Sequence, residues 1–357
     1  MRILVLPGDG IGPEIIAAAL EVLRSADTRF ALGLAFDEAQ IGLASLERHG
    51  TTLPDAVLEK ARGYDGLILG PISHAIYPPP EQGGRNVSAV LRVALDLYAN
   101  IRPARTRPAL PSNLPPGRSM DLVIMREATE GFYPDRNMTR GWGEMMPSPD
   151  MALSVRKITR NACARIARRA FELAGERRGK VTAVHKANCF HMTDGLFLET
   201  VRSVARQFPA VTLDELLVDA CTAHLVRTPE RFDVLLTTNL FGDILSDLAS
   251  ELTGSLGLAG SLMAGDRLGC AQAQHGSAPD LAGQDKANPT SMILSAAMLL
   301  RFAGEQRREG TLLEAGRRIE AAADEALGEP GCRTVDLGGT LGTAAFAREV
   351  ARRVAGR

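Results

Sequence analysis

Short apolar runs alternate along the chain with stretches of helical periodicity. Residues 3–6 read as a buried strand, and a glycine-rich turn leads from them into residues 13–20. There Pro13 stands at a first helical position with Glu14 beside it, a favourable helix start. Residues 66–70, 122–125 and 234–237 repeat the apolar pattern, while residues 159–175 and 291–303 carry long helical periodicities. This alternation predicts an α/β protein on a sheet with substantial parallel pairing. Two segments break the pattern. Residues 77–84, with three consecutive prolines and two glycines, predict an irregular, mobile surface loop. Residues 131–149 hold the single tryptophan and predict a long functional or interacting excursion. The Arg/Ala-rich stretch 344–357 reads as a surface helix.

Composition narrows the class. A chain of 357 residues that is 45% hydrophobic has enough apolar material for about two domains. Its 41 basic and 42 acidic side chains nearly cancel, which argues against general nucleic-acid or membrane-surface binding. The longest apolar stretch, 292–300, is too short to span a bilayer, and residues 1–8 do not read as an export signal. The expected location is the cytoplasm. Cys163, Cys189, Cys221, Cys270 and Cys332 are scattered without a C-x-x-C pair and read as buried free thiols in a reducing compartment. His74, His185 and His275 show no zinc-ligand spacing.

Several polar residues interrupt the apolar pattern where chemistry is possible. Gly8, Gly10 and Gly12 invite a dinucleotide-fold reading, but the third glycine comes one residue too early for G-x-G-x-x-G, and a tight strand–helix turn is the simpler reading. Arg126 ends an apolar strand, where a desolvated charge needs an anion. Together with Arg92 and Arg102 it could grip a di- or tricarboxylate; three unrelated salt bridges are the plain alternative. Asp243 and Asp247, spaced i and i+4, would project from one helix face and repel unless a cation such as Mg²⁺ or Mn²⁺ sat between them. Capping by Asp243 and solvation of Asp247 is the alternative. Asp219 ends another apolar run and could be a third ligand. Lys186, at a strand end, is a base or a solvated tip, and Tyr133 an acid or a core residue.

Taken in order, LPGDGIGPEI, NIRP, REATEGFY, HKAN, FDVLLTTNLFGDILSDLAS and HGSAPDLAGQDKANP resemble the motifs of the β-decarboxylating dehydrogenases, the isocitrate, isopropylmalate, homoisocitrate and tartrate/malate enzymes, over nearly the whole chain. The resemblance implies that family's own fold, two α/β domains around a central cleft and not a Rossmann fold. It implies a larger discontinuous domain from residues 1–99 and 254–357, and a smaller one from 100–253. It also implies oxidative decarboxylation of a malate-type 2-hydroxy acid. Arg92, Arg102 and Arg126 would hold carboxylates, Asp219, Asp243 and Asp247 would bind Mg²⁺ or Mn²⁺, and Lys186 and Tyr133 would move protons, with Asn188 near the substrate. Lys186 and Asp219 would complete a neighbouring subunit's site, so a homodimer is implied, with residues 131–149 in its arm.

The same resemblance gives a cofactor loop at His275, Gly276, Ser277 and Ala278. Asp280 occupies the place of an aspartate that faces the adenosine ribose in NAD-dependent members, where it would repel a 2′-phosphate. NAD is therefore expected, with Asn288 near the adenine; a solvated loop acid is the alternative for Asp280. Arg85, Asn86 and Ser88 precede Arg92 where isopropylmalate enzymes place leucines, which favours a polar or acidic group on C3, as in isocitrate or homoisocitrate. Arg85 and Ser88 facing solvent is the alternative there. 3-Isopropylmalate and tartrate or D-malate are the competing substrates. A catalytically silent regulatory subunit would lack one of Tyr133, Lys186, Asp219, Asp243 and Asp247, all of which are present. A binding protein for acidic ligands would not need the nicotinamide loop.

Overall fold

The computed structural model describes residues 1–138 and 140–356. In chain order its elements are β1 (Arg2–Leu6), α1 (Gly12–Phe30), β2 (Ala35–Glu38), α2 (Gly42–His49), α3 (Asp55–Ala61), β3 (Gly66–Leu69), α4 (Val87–Ala94), β4 (Ala99–Arg105) and β5 (Asp121–Glu127). There follow β6 (Glu144–Ser148), β7 (Met151–Ser154), α5 (Arg160–Gly175), β8 (Lys180–His185), α6 (Thr193–Ala205), β9 (Thr212–Leu217), α7 (Val218–Arg227), β10 (Val234–Thr237) and α8 (Asn239–Leu252). The chain closes with β11 (Leu262–Ala264), β12 (Gly269–Gln272), α9 (Thr290–Arg307), α10 (Gly310–Gly328) and α11 (Thr343–Val354). Two compact units result, one from Met1–Leu95, Arg107–Pro111 and Ser255–Arg357, the other from Asp96–Thr106 and Ser112–Gly254.

In the first unit the strands run β2-β1-β3-β12-β11, parallel except for the antiparallel β11/β12 pair. The continuous apolar runs of β1 and β3 suit strands covered on both faces. β2 (Ala-Phe-Asp-Glu) is a mostly exposed edge strand, too polar and short to be read in advance. The glycine turn after β1 is not a dinucleotide cradle. The Ile11 amide donates to the Ser277 carbonyl at 2.9 Å, and a Cβ on Gly10 would lie 2.0 Å from that same oxygen. Chain therefore fills the place a pyrophosphate takes in a Rossmann turn. Beneath it the buried Asp9 carboxylate accepts from the Leu43 amide (2.7 Å), the Ser73 amide (2.8 Å) and the Tyr77 hydroxyl. Asp9 thus pins residues 71–77 to the turn.

In the second unit the order is β4-β5-β10-β8-β9, with β4/β5 antiparallel and the remaining pairs parallel. Helix α5 is capped by Thr159, whose hydroxyl accepts from the Ala162 amide, and it buries Ile166, Ala170 and Phe171 against Val181 and Val234. Burial of side chains the size of Ile166, Phe171, Val181 and Val234 contributes about 1.5–3 kcal/mol each.

Three expectations need correction. The excursion is not irregular throughout: it ends in β6, which pairs antiparallel with β7 just beyond it in an exposed hairpin. Helix α11 is not merely superficial, since Phe346, Ala347, Val350 and Val354 recur at helical spacing and are buried. Of the cysteines, Cys163, Cys221 and Cys270 are buried, but Cys189 is exposed in the turn after β8 and Cys332 is half-exposed. Residues 77–84 form a loop with a single 3₁₀ turn, Pro80–Gln82. Among the described residues no helix is long and apolar enough to cross a membrane.

Candidate active site

Four neighbouring strands of the second unit deliver their chemistry at one sheet edge. In register, Arg126 of β5 pairs with Thr237 of β10, Thr237 with Val184 of β8, and His185 with Leu217 of β9. These are the carboxyl ends of parallel strands, where α/β sheets present ligand-binding groups. The residues just beyond are Asn239 and Asp243 after β10, Lys186 after β8 and Asp219 after β9.

Arg126 is 1% exposed. A charge so buried must be neutralised and hydrogen-bonded. Its Nε donates to Asn239 Oδ1 (2.8 Å), one terminal nitrogen donates to Asp243 Oδ1, and the other to the Tyr133 hydroxyl (3.0 Å). The Tyr133 hydroxyl donates in turn to Asp243 Oδ2 at 2.9 Å, and the Arg136 guanidinium stacks on its ring, 4.7 Å from the centroid. Helix α8 comes this close only because residue 242 is glycine: a Cβ there would stand 2.6 Å from Arg126 Cγ.

Arg102 on β4 approaches the same helix face. Its Nη1 lies 3.2 Å from Asp243 Oδ1, 3.4 Å from Asp247 Oδ1 and 2.6 Å from Ser246 Oγ. Burial, then the neighbouring Arg126, push Arg102 down to about 10. One guanidinium nitrogen bridging both carboxylates shows that Asp243 and Asp247, one helical turn apart, converge on a shared cation position. Two hard oxygen donors with a partly exposed rim fit Mg²⁺ or Mn²⁺. Arg102 Nε is buried without a partner and is available to an anion.

Lys186 and Asp219 form a separate pair, Nζ to Oδ1 at 2.7 Å. The Asp219 hydrogen bond raises Lys186 and lowers Asp219, so within one chain the lysine is held protonated. β9 lies three strands from β5, about 14 Å at ordinary strand spacing. Accordingly, no three His, Cys, Asp or Glu side chains among the described residues come close enough to hold a metal. Asn188 is exposed in the turn after β8.

Behind Arg126 lies an acidic pocket that the sequence did not advertise. Glu127 accepts from the Thr129 and Glu130 amides, and the Glu130 carboxylate accepts from the Thr159 amide (2.6 Å). Burial, with Glu127 adding its charge, pushes Glu130 up to about 7. A raised carboxyl contributes most stability below its unfolded value and loses it as pH climbs through the folded one. Between about pH 5 and about pH 8 the wild type is therefore expected to lose about 2–3 kcal/mol relative to Glu130→Gln. Urea denaturation of both proteins at the two pH values measures this; parallel losses would contradict it.

In the first unit, Arg92 on α4 is buried, with Nε 3.0 Å from Met263 Sδ. Asn86 serves as the N-cap of α4, its Oδ1 accepting from the Ala89 amide at 3.2 Å. Arg85 is engaged by Asp55 (2.6 Å) and the Leu53 carbonyl (2.9 Å), while Gln272 Nε2 donates to Ser88 Oγ at 2.9 Å. Gln272 is a polar neighbour that sequence reasoning missed, since nothing local marks it.

The loop after β12 is held at both ends. Ser277 is buried, its hydroxyl 2.8 Å from that of Ser73, and Ala278 adopts a left-handed backbone (φ 35°). Asn288 Nδ2 donates to Asp336 Oδ2 (3.0 Å), and its Oδ1 accepts from the Thr290 amide. Gly276 and Asp280 are exposed. His275 Nε2 is buried without a partner, and burial lowers the imidazole, which leaves a neutral ring with one open polar atom. A nucleotide would satisfy such a group.

The family model described as "Isocitrate/isopropylmalate dehydrogenase" matches residues 2–353. The chain belongs to this family. Among its relatives, the isocitrate/homoisocitrate dehydrogenase of Thermus thermophilus is 44% identical over 98% of this chain and 97% of its own length. The 3-isopropylmalate dehydrogenase of Archaeoglobus fulgidus is 41% identical over 98% of each chain. The crystal structure of isocitrate dehydrogenase from Methylococcus capsulatus superposes with a TM-score of 0.87 at 40% identity, covering 99% of both chains. The fold is therefore the family's own α/β architecture. Identities of 44% and 41% to enzymes named for different substrates do not separate those substrates.

Proposed function

We propose that the protein catalyses oxidative decarboxylation of a malate-type 2-hydroxy acid bearing a polar C3 group, such as isocitrate or homoisocitrate, with NAD as hydride acceptor and Mg²⁺ or Mn²⁺ as a required cation. The observation that carries this reading is the cluster of Arg102, Arg126, Tyr133, Asp243 and Asp247 on adjoining elements of the second unit. Its two arginines are suited to paired carboxylates, and its two carboxylates to a hard cation. Arg92, beside Met263, is proposed as a further carboxylate-binding arginine. Asp219 of a second copy would complete the ligands of Asp243 and Asp247, which makes the working assembly a homodimer.

When bound, the divalent cation supplies Lewis-acid polarisation of the substrate oxygens. His275, Gly276, Ser277, Ala278, Asp280 and Asn288 would hold NAD, which would supply the hydride acceptor for C2. Lys186 accepts the C2 hydroxyl proton. For that its hold on Asp219 must loosen, as it would if Asp219 served as a metal ligand. Once CO₂ has left, the carbon that carried it needs a proton, and the Tyr133 hydroxyl, polarised by Arg126, donates it. The arginines fix the orientation of the carboxylates throughout.

Relatives named 3-isopropylmalate dehydrogenase keep that substrate as the second reading. Ser88 and Gln272, hydrogen-bonded to each other, make the segment before Arg92 polar, and an isopropyl group would cover it without replacing the water it displaces. Steady-state kinetics on isocitrate, homoisocitrate, 3-isopropylmalate, tartrate and D-malate, each with NAD and with NADP, tests both choices. We expect NAD to be preferred and 3-isopropylmalate to be at least about 100-fold poorer in kcat/KM than the best substrate. A clear lead for 3-isopropylmalate, or for NADP, would overturn the corresponding part.

A further inference from the structure

Arg156 lies on none of the motifs that define the site, yet its guanidinium is deeply buried, with the side chain 5% exposed. Its Nη1 sits 2.7 Å from Asp194 Oδ1 and donates to Thr193 Oγ1 at 3.1 Å, while Nη2 donates to Thr238 Oγ1 at 3.1 Å. Three phenylalanine rings box it in, with centroids at 5.2 Å (Phe132), 5.0 Å (Phe190) and 5.3 Å (Phe241). Those contacts fall on the segments that carry the proposed chemistry. Phe132 adjoins Tyr133, Thr238 immediately precedes α8 and Phe241 stands two residues before Asp243. Phe190 closes the turn that starts at Lys186, donating its amide to the Lys186 carbonyl at 2.9 Å.

Asp194 makes the connection to the lysine. Its side chain is fully buried, and its Oδ2 accepts the Lys186 backbone amide at 2.6 Å. At the end of β8 that amide has left the strand ladder, so Asp194 fixes where the Lys186 backbone stands. A carboxylate buried this deeply needs a cation, and Arg156 supplies it from inside the aromatic box. Removing the guanidinium would leave Asp194 charged and unpaired, and swinging it toward solvent would release the Lys186 amide.

We infer that Arg156 is a positioning residue that acts through Asp194 to fix where the chain presents Lys186. This rests on the proposed role of Lys186 as proton acceptor. A purely structural brace is the competing explanation, since buried ion pairs are often replaceable by apolar groups without loss of stability.

The test uses full-length Arg156→Met, Arg156→Lys and Asp194→Asn. With the best substrate of the panel, Arg156→Met is expected to lower kcat about 10–100-fold while substrate KM stays within about three-fold. The acidic limb of its kcat–pH profile should move, because that limb reports the base. Arg156→Lys, which keeps the charge in the box, should recover part of kcat, and Asp194→Asn should reproduce the shifted limb. A readout independent of turnover is NMR titration of the lysines after ¹³C-methylation, with the Lys186 signal assigned by Lys186→Arg among Lys60, Lys157, Lys180 and Lys286. A displaced Lys186 titration in Arg156→Met, with the other lysines unmoved, supports the inference even if no panel substrate is turned over, in which case only the reaction assignment fails. Wild-type kcat, pH profile and Lys186 titration in a folded Arg156→Met protein would overturn it. So would losses that merely follow a lowered melting temperature and are not recovered by Arg156→Lys.

Discussion

Asp243→Asn is expected to reduce turnover by at least about a thousand-fold, the largest effect of any single change at this site. The substitution is nearly isosteric, so the loss would be electrostatic. Asp243 accepts from Arg126, Arg102 and Tyr133 together. Without its charge, Arg126 keeps only neutral partners on Asn239 and Tyr133 while remaining almost wholly buried. The cation position defined with Asp247 also loses half its protein charge within this chain. Calorimetric Mn²⁺ titration should show the weakened binding directly, and raising Mn²⁺ should recover little turnover. Wild-type rates at saturating metal would remove Asp243 from the site.

Lys186→Met should lower kcat about 10²–10⁴-fold, the range associated with loss of a general base, with Mn²⁺ affinity and substrate KM close to wild type. The two variants together examine the shared-site arrangement. If Lys186 and Asp219 serve the other copy's Asp243, co-expressed Lys186→Met and Asp243→Asn chains form mixed dimers with one intact site. A random mixture should then regain about a quarter of wild-type activity, although each protein alone is nearly inactive. Mixtures no more active than their components would place Lys186 and Asp243 of the same chain in one site.

Much of this arrangement was legible because it is local or strongly patterned. The apolar run 234–237 forms β10 as read, and the i, i+4 spacing of Asp243 and Asp247 does bring both carboxylates to one guanidinium. Arg126 at a strand end could be recognised as needing an anion, although not which one. The illegible parts depend on partners distant in sequence. Arg85 is held by Asp55 and Ser88 by Gln272, and nothing near either residue encodes that choice. The Arg156–Asp194 pair joins two segments through a box of phenylalanines that read as ordinary apolar residues. The exposure of Cys189 follows from a turn whose shape Asp194 sets, not from cysteine's usual preference for the interior.

Gly242, in the first turn of α8, gives up as much as about 1 kcal/mol of helix propensity relative to alanine. What it provides is a notch the width of one carbon, through which the Arg126 stem passes to reach Asp243. A position that bears no functional group at all is thereby constrained as tightly as its neighbours that do. Its contribution is empty volume, and a methyl group there would evict a charge rather than fill a hole.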